Sequence, residues 1–307
     1  MLLAKSSSKP TMPKTAPLPV QDWTFDAIGT KWWLGVYDPV AASHWRAVQR
    51  TVTARIDTFD ATYSRFRADS LVAQVAQAAG SYDFPADSTR LFALYHRLYD
   101  ATDGLLTPLI GQMLADAGYD ANYSLRSKRL VQPPAWDEAL ALHGTRLVTS
   151  QPVLLDFGAA GKGYLVDLIS TLLQEQGVTR FCIDASGDLY AHGLDEPLQI
   201  GLEHPDDPNQ VIGVAALQTN ALCGSATNRR QWGQYHHILN PSTLQPANAV
   251  KAVWVSAPSA ALADGLATAL FFVPPERLAK HFRFAYCLVN SHNEVRYSAS
   301  FPGELFT

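Results

Sequence analysis

Between His44 and Tyr63 the apolar residues Trp45, Val48, Val52, Ile56, Phe59 and Tyr63 recur every three or four positions, which is the period of an amphipathic helix. A helix this long must lay its apolar stripe on a partner surface, and later in the chain the period changes to one that builds such a surface. Short apolar runs at 145–149 and 152–155 are followed by strand patterns at 179–185, 187–193, 197–203, 210–217, 219–223 and 235–239. A further strand is expected at 249–257, and a terminal hairpin at 284–290 and 294–298. Helices are expected at 70–79, 88–101, 108–118, 164–176, 260–272 and 275–282, the third opened by Thr107 and Pro108 and the fourth closed by Gly177. An aromatic, β-branched segment at 23–37, broken by Gly29, reads as a strand or hairpin where order begins. Helices first and strands later, without regular alternation, predict an α+β fold of mixed sheets flanked by helices.

The 307 residues are 47% hydrophobic and 10% aromatic, enough for a substantial core in one large domain or two packed lobes. A net charge of −4 gives no electrostatic footing for nucleic acid. Cys182, Cys223 and Cys287 are odd in number and widely spaced, which favours reduced, packed thiols and a cytoplasmic location. Residues 1–22 read as a disordered tail whose apolar start ends at Lys5, too short for a signal-peptide core of roughly 7–15 residues. The apolar stretch at 266–273 falls short of the roughly 18 residues needed to cross a bilayer. A single domain is expected over 23–307.

The stretch "DFGAAGKGYLVD" at 156–167 places glycines before a helix, where backbone N–H groups can meet an anion and Lys162 adds a point charge. Its spacing excludes a Walker A loop, since two residues separate Gly158 from Gly161 and Gly163 follows the lysine. It also excludes a dinucleotide-binding turn, because the order is G-x-x-G-x-G. Asp264 and Thr268 lie four apart on one helix face and offer oxygen to a hard cation, or else serve helix capping and back-bonding. Gly187 and Asp188 form a tight strand-to-strand turn that either meets a ligand or only reverses the chain. In an extended segment the adjacent His236 and His237 face opposite sides, so at most one belongs to a site; a base and a core hydrogen-bonder are the competing roles. Arg229 or Arg230 can bind phosphate or stay solvated. Arg65, between Tyr63 and Phe66, forms a stacking surface or packs a helix end.

Taken in order, these stretches resemble the ApbE-like FAD:protein FMN transferases. "AIGT" at 27–30 is similar to the family's "AMGT", "YSRFRADS" at 63–70 to its "SxYxxxS", and "TDGLLT" at 102–107 to its "TDGxFD". The stretch at 156–167 is similar to "DxGxxAKGYxxD", "SGD" at 186–188 to "GGD", "HILNPST" at 237–243 to "HIxDPxTG", and "ADGLATAL" at 263–270 to "ADALATAL".

The resemblance implies an ApbE-like fold of two intimately packed lobes with the flavin between them. It implies magnesium-dependent transfer of FMN from FAD to a Thr or Ser hydroxyl of an acceptor protein, with release of AMP. FAD hydrolysis to FMN and AMP, or FAD binding without turnover, are the alternatives. Magnesium would be held by the carbonyl of Gly161 with Asp264 and Thr268, and His237 would be the base. The flavin nucleotide would be bound by Ile28, Gly29, Thr30, Tyr63, Arg65, Asp103, Lys162, Asp167, Ser186, Gly187, Asp188, Ser225 and Asn240. Five positions depart from the pattern: Ile28 for Met, Thr107 for Asp, Ser186 for Gly, Asn240 for Asp and Leu244 for Gly. The lack of an export signal implies a cytosolic or membrane-associated acceptor.

Overall fold

The computed structural model describes residues 18–306. Strands β1 (Gln21–Ala27) and β2 (Thr30–Val36) form a hairpin around Ile28 and Gly29. The ladder begins two residues before Trp23, and the Val20 N–H donates to the Val36 carbonyl at 2.8 Å, so order starts earlier than expected. Residues 1–17 of the expected tail lie outside the described residues.

Helix α1 (Ala42–Tyr63) buries every residue of the apolar stripe that predicts it. Helix α2 (Leu71–Val75) is half the expected length, and β3 (Gly80–Asp83) follows it. Helix α3 (Ser88–Ala101) has the expected limits, while 108–118 forms a 3-10 turn at Pro108–Ile110 and α4 (Gly111–Asp116). Helix α5 (Trp136–Ala139), β4 (Leu140–His143) and β5 (Arg146–Thr149) come next, and β3, β5 and β4 make a small antiparallel sheet. The apolar run at 152–155 forms no strand and joins no ladder among the described residues. Val153 donates to the Val75 carbonyl and Asp156 to the Pro108 carbonyl, so the segment is tied to loops and not to a ladder.

Helix α6 (Gly161–Glu175) leads to β6 (Phe181–Asp184), β7 (Asp188–His192), β8 (Leu198–His204), β9 (Asp207–Leu217) and β10 (Ala221–Ala226). The expected strand at 235–239 is divided. Strand β11 (Gln231–Trp232) pairs with β12 (Tyr235–His236), and β13 (Leu239–Asn240) with β14 (Gln245–Pro246). The cause is local, because the His236 ring accepts the Ile238 N–H at 3.2 Å and takes that donor out of the ladder. Strand β15 (Val250–Ala257), α7 (Ala260–Ala269), α8 (Pro275–Leu278), β16 (Ala285–Asn290), β17 (Val295–Tyr297) and β18 (Gly303–Leu305) complete the chain.

The main sheet is antiparallel, in the order β1-β2-β6-β7-β10-β15-β16-β17. Its alternating side chains serve two cores. Phe181, Ile183, Ala221 and Cys223 face the helices, whereas Cys182, Leu189, Ala191 and Leu222 face a second sheet of β18, β9 and β8. This mixed architecture of helices on a large antiparallel sheet agrees with the α+β reading. The hairpin turns at 28–29 and 185–187 meet at one end of the sheet, because β2 pairs antiparallel with β6.

Candidate functional site

At that end of the sheet both turns carry left-handed backbone. Ile28 and Gly29 have φ of 41° and 75°, and Ser186 and Gly187 have φ of 55° and 99°, the combination of a type I′ hairpin turn. Only the glycines adopt this without strain. The turns are fastened to each other: the Thr30 hydroxyl contacts that of Ser186, which donates to the Lys31 carbonyl at 2.7 Å. The Gly224 N–H donates to the Gly187 carbonyl at 2.9 Å, which brings Ser225, on the same strand, toward this turn. The sequence-predicted residues Ile28, Gly29, Thr30, Ser186, Gly187, Asp188 and Ser225 therefore come together.

Helix α6 points its N-terminus at this turn. Its first residues were expected to form a turn, yet Gly161 and Gly163 lie inside the helix. Gly163 allows α7 to touch α6: a Cβ there would stand 2.2 Å from the Ala260 carbonyl oxygen and 2.8 Å from the Asp264 Cβ. Through that gap the Gly163 N–H donates to Asp264 Oδ2 at 2.9 Å, a carboxylate at a helix N-terminus. Lys162 pairs with the fully buried Asp188, whose second oxygen has no hydrogen-bond partner. Burial and the neighbouring Asp188 hold the Asp264 carboxyl well above the usual carboxylate range, with Lys162 opposing them. Burial likewise raises Asp184, which accepts the Gly187 N–H at 2.9 Å. Burial works against the Lys162 charge, but Asp188 and Asp264 outweigh it and raise its pKa.

Three acidic side chains thus stand around one ammonium, and burial disfavours the charged forms of Asp184 and Asp264. The Thr268 hydroxyl reaches the Ala159 carbonyl only at 3.5 Å, the limit of a hydrogen bond, and so keeps oxygen capacity on the same side of α7 as Asp264. Among the described residues no group of three or more His, Cys, Asp or Glu is placed to hold a metal ion. A donor set of one carboxylate, one hydroxyl and backbone carbonyls, beside an unpartnered carboxylate oxygen, instead suits a hard cation that completes its shell with ligand oxygens and water.

The other end of the 156–161 turn is anchored by Phe157, packed edge-on against Tyr63, Phe92 and Tyr95. The Tyr95 hydroxyl accepts the Ala160 N–H at 3.2 Å. Asp156 accepts the Gly158 N–H at 2.7 Å and pairs with the buried Arg65, which also donates to the Tyr119 carbonyl at 2.7 Å. Arg65 lies over the Phe66 and Tyr119 rings, 4.2 and 4.9 Å from their centroids, so its stacking partners are the protein's own aromatics.

The two adjacent histidines separate cleanly. His236 is buried and committed, with Nε2 on Asn248 at 3.1 Å and Nδ1 on the Ile238 N–H. His237 is half-buried, its Nδ1 has no partner, and its backbone N–H donates to the Arg230 carbonyl at 3.2 Å. Burial, with Arg230 and His236 adding to it, lowers its imidazole to about 3.

Four predicted residues are engaged elsewhere, three in polar contacts and Tyr63 in the core. Asp167 caps α7, accepting the Ala260 and Ala261 N–H groups at 2.7 and 3.0 Å, and burial raises it to about 6. Tyr63 packs in the core with its hydroxyl unpartnered. Asp103 sits at φ 51° in a surface turn and forms a two-pronged ion pair with Arg277. Asn240 accepts the Ser242 and Thr243 N–H groups at 2.9 and 3.1 Å. Asp103 and the turn after Asn240 nevertheless share a cavity of about 120 Å³, lined also by Tyr99, Thr107, Pro241 and Ser242. Asp184 and Tyr95 escaped the sequence reading; only the place of Asp184 just before the "SGD" turn gave a signal.

The fold and site define an α+β protein in which a glycine-opened helix receives a buried carboxylate from a second helix, beside paired hairpin turns. Residues 28–286 match the ApbE family, and the chain belongs to it. It is 26% identical over 253 residues to the FAD:protein FMN transferase of Vibrio cholerae serotype O1, covering 76% of this chain and 75% of that protein. To the FAD:protein FMN transferase of Treponema pallidum it is 27% identical over 289 residues, covering 81% and 78%. The crystal structure of the ApbE protein of Thermotoga maritima superposes with a TM-score of 0.79 at 21% identity, covering 92% of this chain and 99% of that one. The resemblance read from seven short motifs is therefore a family relationship, and the fold is shared.

Proposed function

We propose that this protein transfers FMN from FAD to a Thr or Ser hydroxyl of an acceptor protein and releases AMP. The observation that carries the reading is the convergence of Asp264, the Gly163 N–H, Lys162 and Asp188 at the turn of Ser186 and Gly187. That convergence sits in a chain whose relatives are named for this reaction. The residue set is suited to an anionic substrate brought in with a cation: Asp264, Thr268 and the Gly161 carbonyl would hold magnesium. Bound there, magnesium would offset the charge of the pyrophosphate and of the departing AMP.

The chain's own groups account for the rest. The Lys162 ammonium, held beside Asp188 at the start of α6, would meet the phosphates, and the paired turns at 28–30 and 186–188 would hold the remainder of the nucleotide. His237 would be the base: its Nδ1 is buried without a partner among the described residues, and a substrate hydroxyl placed against it would supply the proton it takes. The hydroxyl oxygen bonds to the phosphorus on the riboflavin side, the bond from that phosphorus to the AMP oxygen breaks, and the proton passes to His237. We read 23–307 as one unit, since the main core draws side chains from Ala27 to Leu288. We assign it to the cytoplasm, because all three cysteines are buried and unpaired. Among the described residues no helix is long and apolar enough to cross a membrane.

Incubating the protein with FAD, magnesium and a candidate acceptor, followed by mass spectrometry, tests the reading. AMP and an acceptor heavier by FMN are expected. AMP with free FMN and an unlabelled acceptor would identify a hydrolase, and FAD bound without AMP would identify a flavin-binding protein.

A further inference from the structure

The adjacent arginines after β10 have different circumstances. Arg229 is neutralised by Glu203 at 2.8 Å. Arg230 makes no ion pair among the described residues, and its one side-chain hydrogen bond is a donation to the Tyr119 hydroxyl at 2.7 Å. That bond aims it. The guanidinium is held 5.8 Å from the centroid of the Tyr119 ring, which is itself stacked on Trp232 at 5.5 Å. Behind the ring, the Tyr119 carbonyl accepts from Arg65, whose own charge is matched by Asp156. Of the two guanidiniums on this aromatic stack, one is compensated and the other is open to solvent.

The open one adjoins the candidate base. The Arg230 carbonyl accepts the His237 N–H at 3.2 Å, and the Arg230 charge is among the influences that keep the imidazole neutral. A merely solvated arginine would need neither the aromatic platform nor the hydroxyl that orients it. A guanidinium fixed on one side leaves its remaining N–H donors in a planar fork suited to phosphate oxygens.

We propose that Arg230 is a substrate-contacting residue that binds the phosphate on the riboflavin side of FAD, the group attacked by the hydroxyl that His237 deprotonates. This rests on the transferase reading above. An oxyanion carrying the growing negative charge at that phosphorus is the counter-charge Arg230 otherwise lacks. Arg229, tied to Glu203, has no such role.

FMN and riboflavin differ only by this phosphate, so their dissociation constants, measured by flavin fluorescence for the wild type, Arg230→Gln and Arg229→Gln, test the contact without requiring turnover. The wild type should prefer FMN, and Arg230→Gln should reduce that preference roughly 10- to 100-fold while leaving riboflavin binding unchanged, as expected for loss of a charged hydrogen bond. Arg229→Gln should keep the wild-type preference. The bond from Arg230 to the Tyr119 hydroxyl is made by an exposed side chain, so the variant should fold, and melting temperatures check this. An Arg230→Gln protein whose FMN preference stays within about twofold of wild type overturns the proposal. A fall in acceptor affinity with the FMN preference intact would also overturn it, by placing an acceptor carboxylate there instead. Failure of the wild type to bind any flavin would overturn the transferase reading itself, and this inference with it.

Discussion

Gly161 and Gly163 stand in the first turn of the same helix, yet replacing each by alanine should have opposite consequences. At Gly163 the new Cβ would lie 2.2 Å from the Ala260 carbonyl oxygen, 2.5 Å from its carbon and 2.8 Å from the Asp264 Cβ. The first two are backbone atoms and cannot rotate aside, so α6 and α7 must separate. Overpacking of this kind costs about 1–3 kcal/mol. Separation also strains the bond from the Gly163 N–H to Asp264, a charged hydrogen bond worth about 1.5–3 kcal/mol. The sum, roughly 2.5–6 kcal/mol, corresponds for a chain of this size to a melting temperature lower by about 4–10 °C. At Gly161 the new Cβ would meet the Phe157 Cβ at 3.2 Å and Phe59 at 3.8 Å, a tight but side-chain contact. Alanine there gains about 1 kcal/mol of helix propensity, which offsets the crowding. Thermal melts of the two variants, with FAD titrations alongside, test the argument. A Gly163→Ala protein that melts with the wild type and binds FAD normally would refute the close approach of the two helices as the device that builds the site.

Asp264→Asn should retain the Gly163 bond while removing a charge that burial disfavours, so the melting temperature should hold or rise as magnesium-dependent AMP release falls by roughly 10²-fold or more; unchanged magnesium dependence would leave Asp264 structural. His237→Ala should slow transfer by about 10²–10⁴ with FAD binding preserved, whereas His236→Ala, which breaks two bonds of a buried ring, should lower stability by about 1–3 kcal/mol with little change in chemistry. With His237 lowered to about 3, kcat/KM should show no acid limb at the ordinary imidazole value of about 6.5, and such a limb traced to His237 would contradict its environment. The same shift sets the sign for stability: the unfolded chain takes up a proton that the folded one refuses, so stability should fall as pH drops from about 6.5 toward 3.

What the sequence made legible was whatever has a period or a local signature. The stripe of α1 and the glycine-broken hairpin at 23–37 are of this kind, and the helix at 88–101 has the expected limits. Of the small sheet, the apolar run at 145–149 marked β5, but β3 and β4 were missed because four residues are too few to display alternation. Partnerships across the chain were also hidden. Nothing near Asp103 announces Arg277, 174 positions away, nor does the glycine of "GKG" reveal that its missing side chain makes room for α7. The two histidines illustrate the limit well. Alternation said that only one belongs to a site, and the motif chose His237, but the physical reason appears only in three dimensions, where His236 has spent both ring nitrogens.

The five departures from the family pattern acquire a different meaning once the backbone is seen. Ser186 and Leu244, which replace glycines, have φ of 55° and 58°, so the left-handed conformation that glycine would supply is kept at a strain of order 1–3 kcal/mol each. Local contacts oppose that strain: the Ser186 hydroxyl bonds Lys31 and Thr30, and Leu244 packs with Trp232 and Leu239. Ile28, at φ 41°, packs against the main core. The two residues that stand in place of acids both accept backbone N–H groups, Thr107 that of Leu109 at 3.2 Å and Asn240 those of Ser242 and Thr243. The difference that remains is one of charge, and it is localised, since Thr107 and the turn after Asn240 border the same cavity beside Asp103. With Thr107 in its wall and Asn240 one residue before Pro241, that cavity has less acidic surroundings than the family pattern would give it, while the buried carboxylates at Asp184, Asp188 and Asp264 remain. The two lost acids thus bear on what enters beside Thr107 and Pro241, while the charged groups at the α6 N-terminus, Lys162, Asp188 and Asp264, match the family pattern.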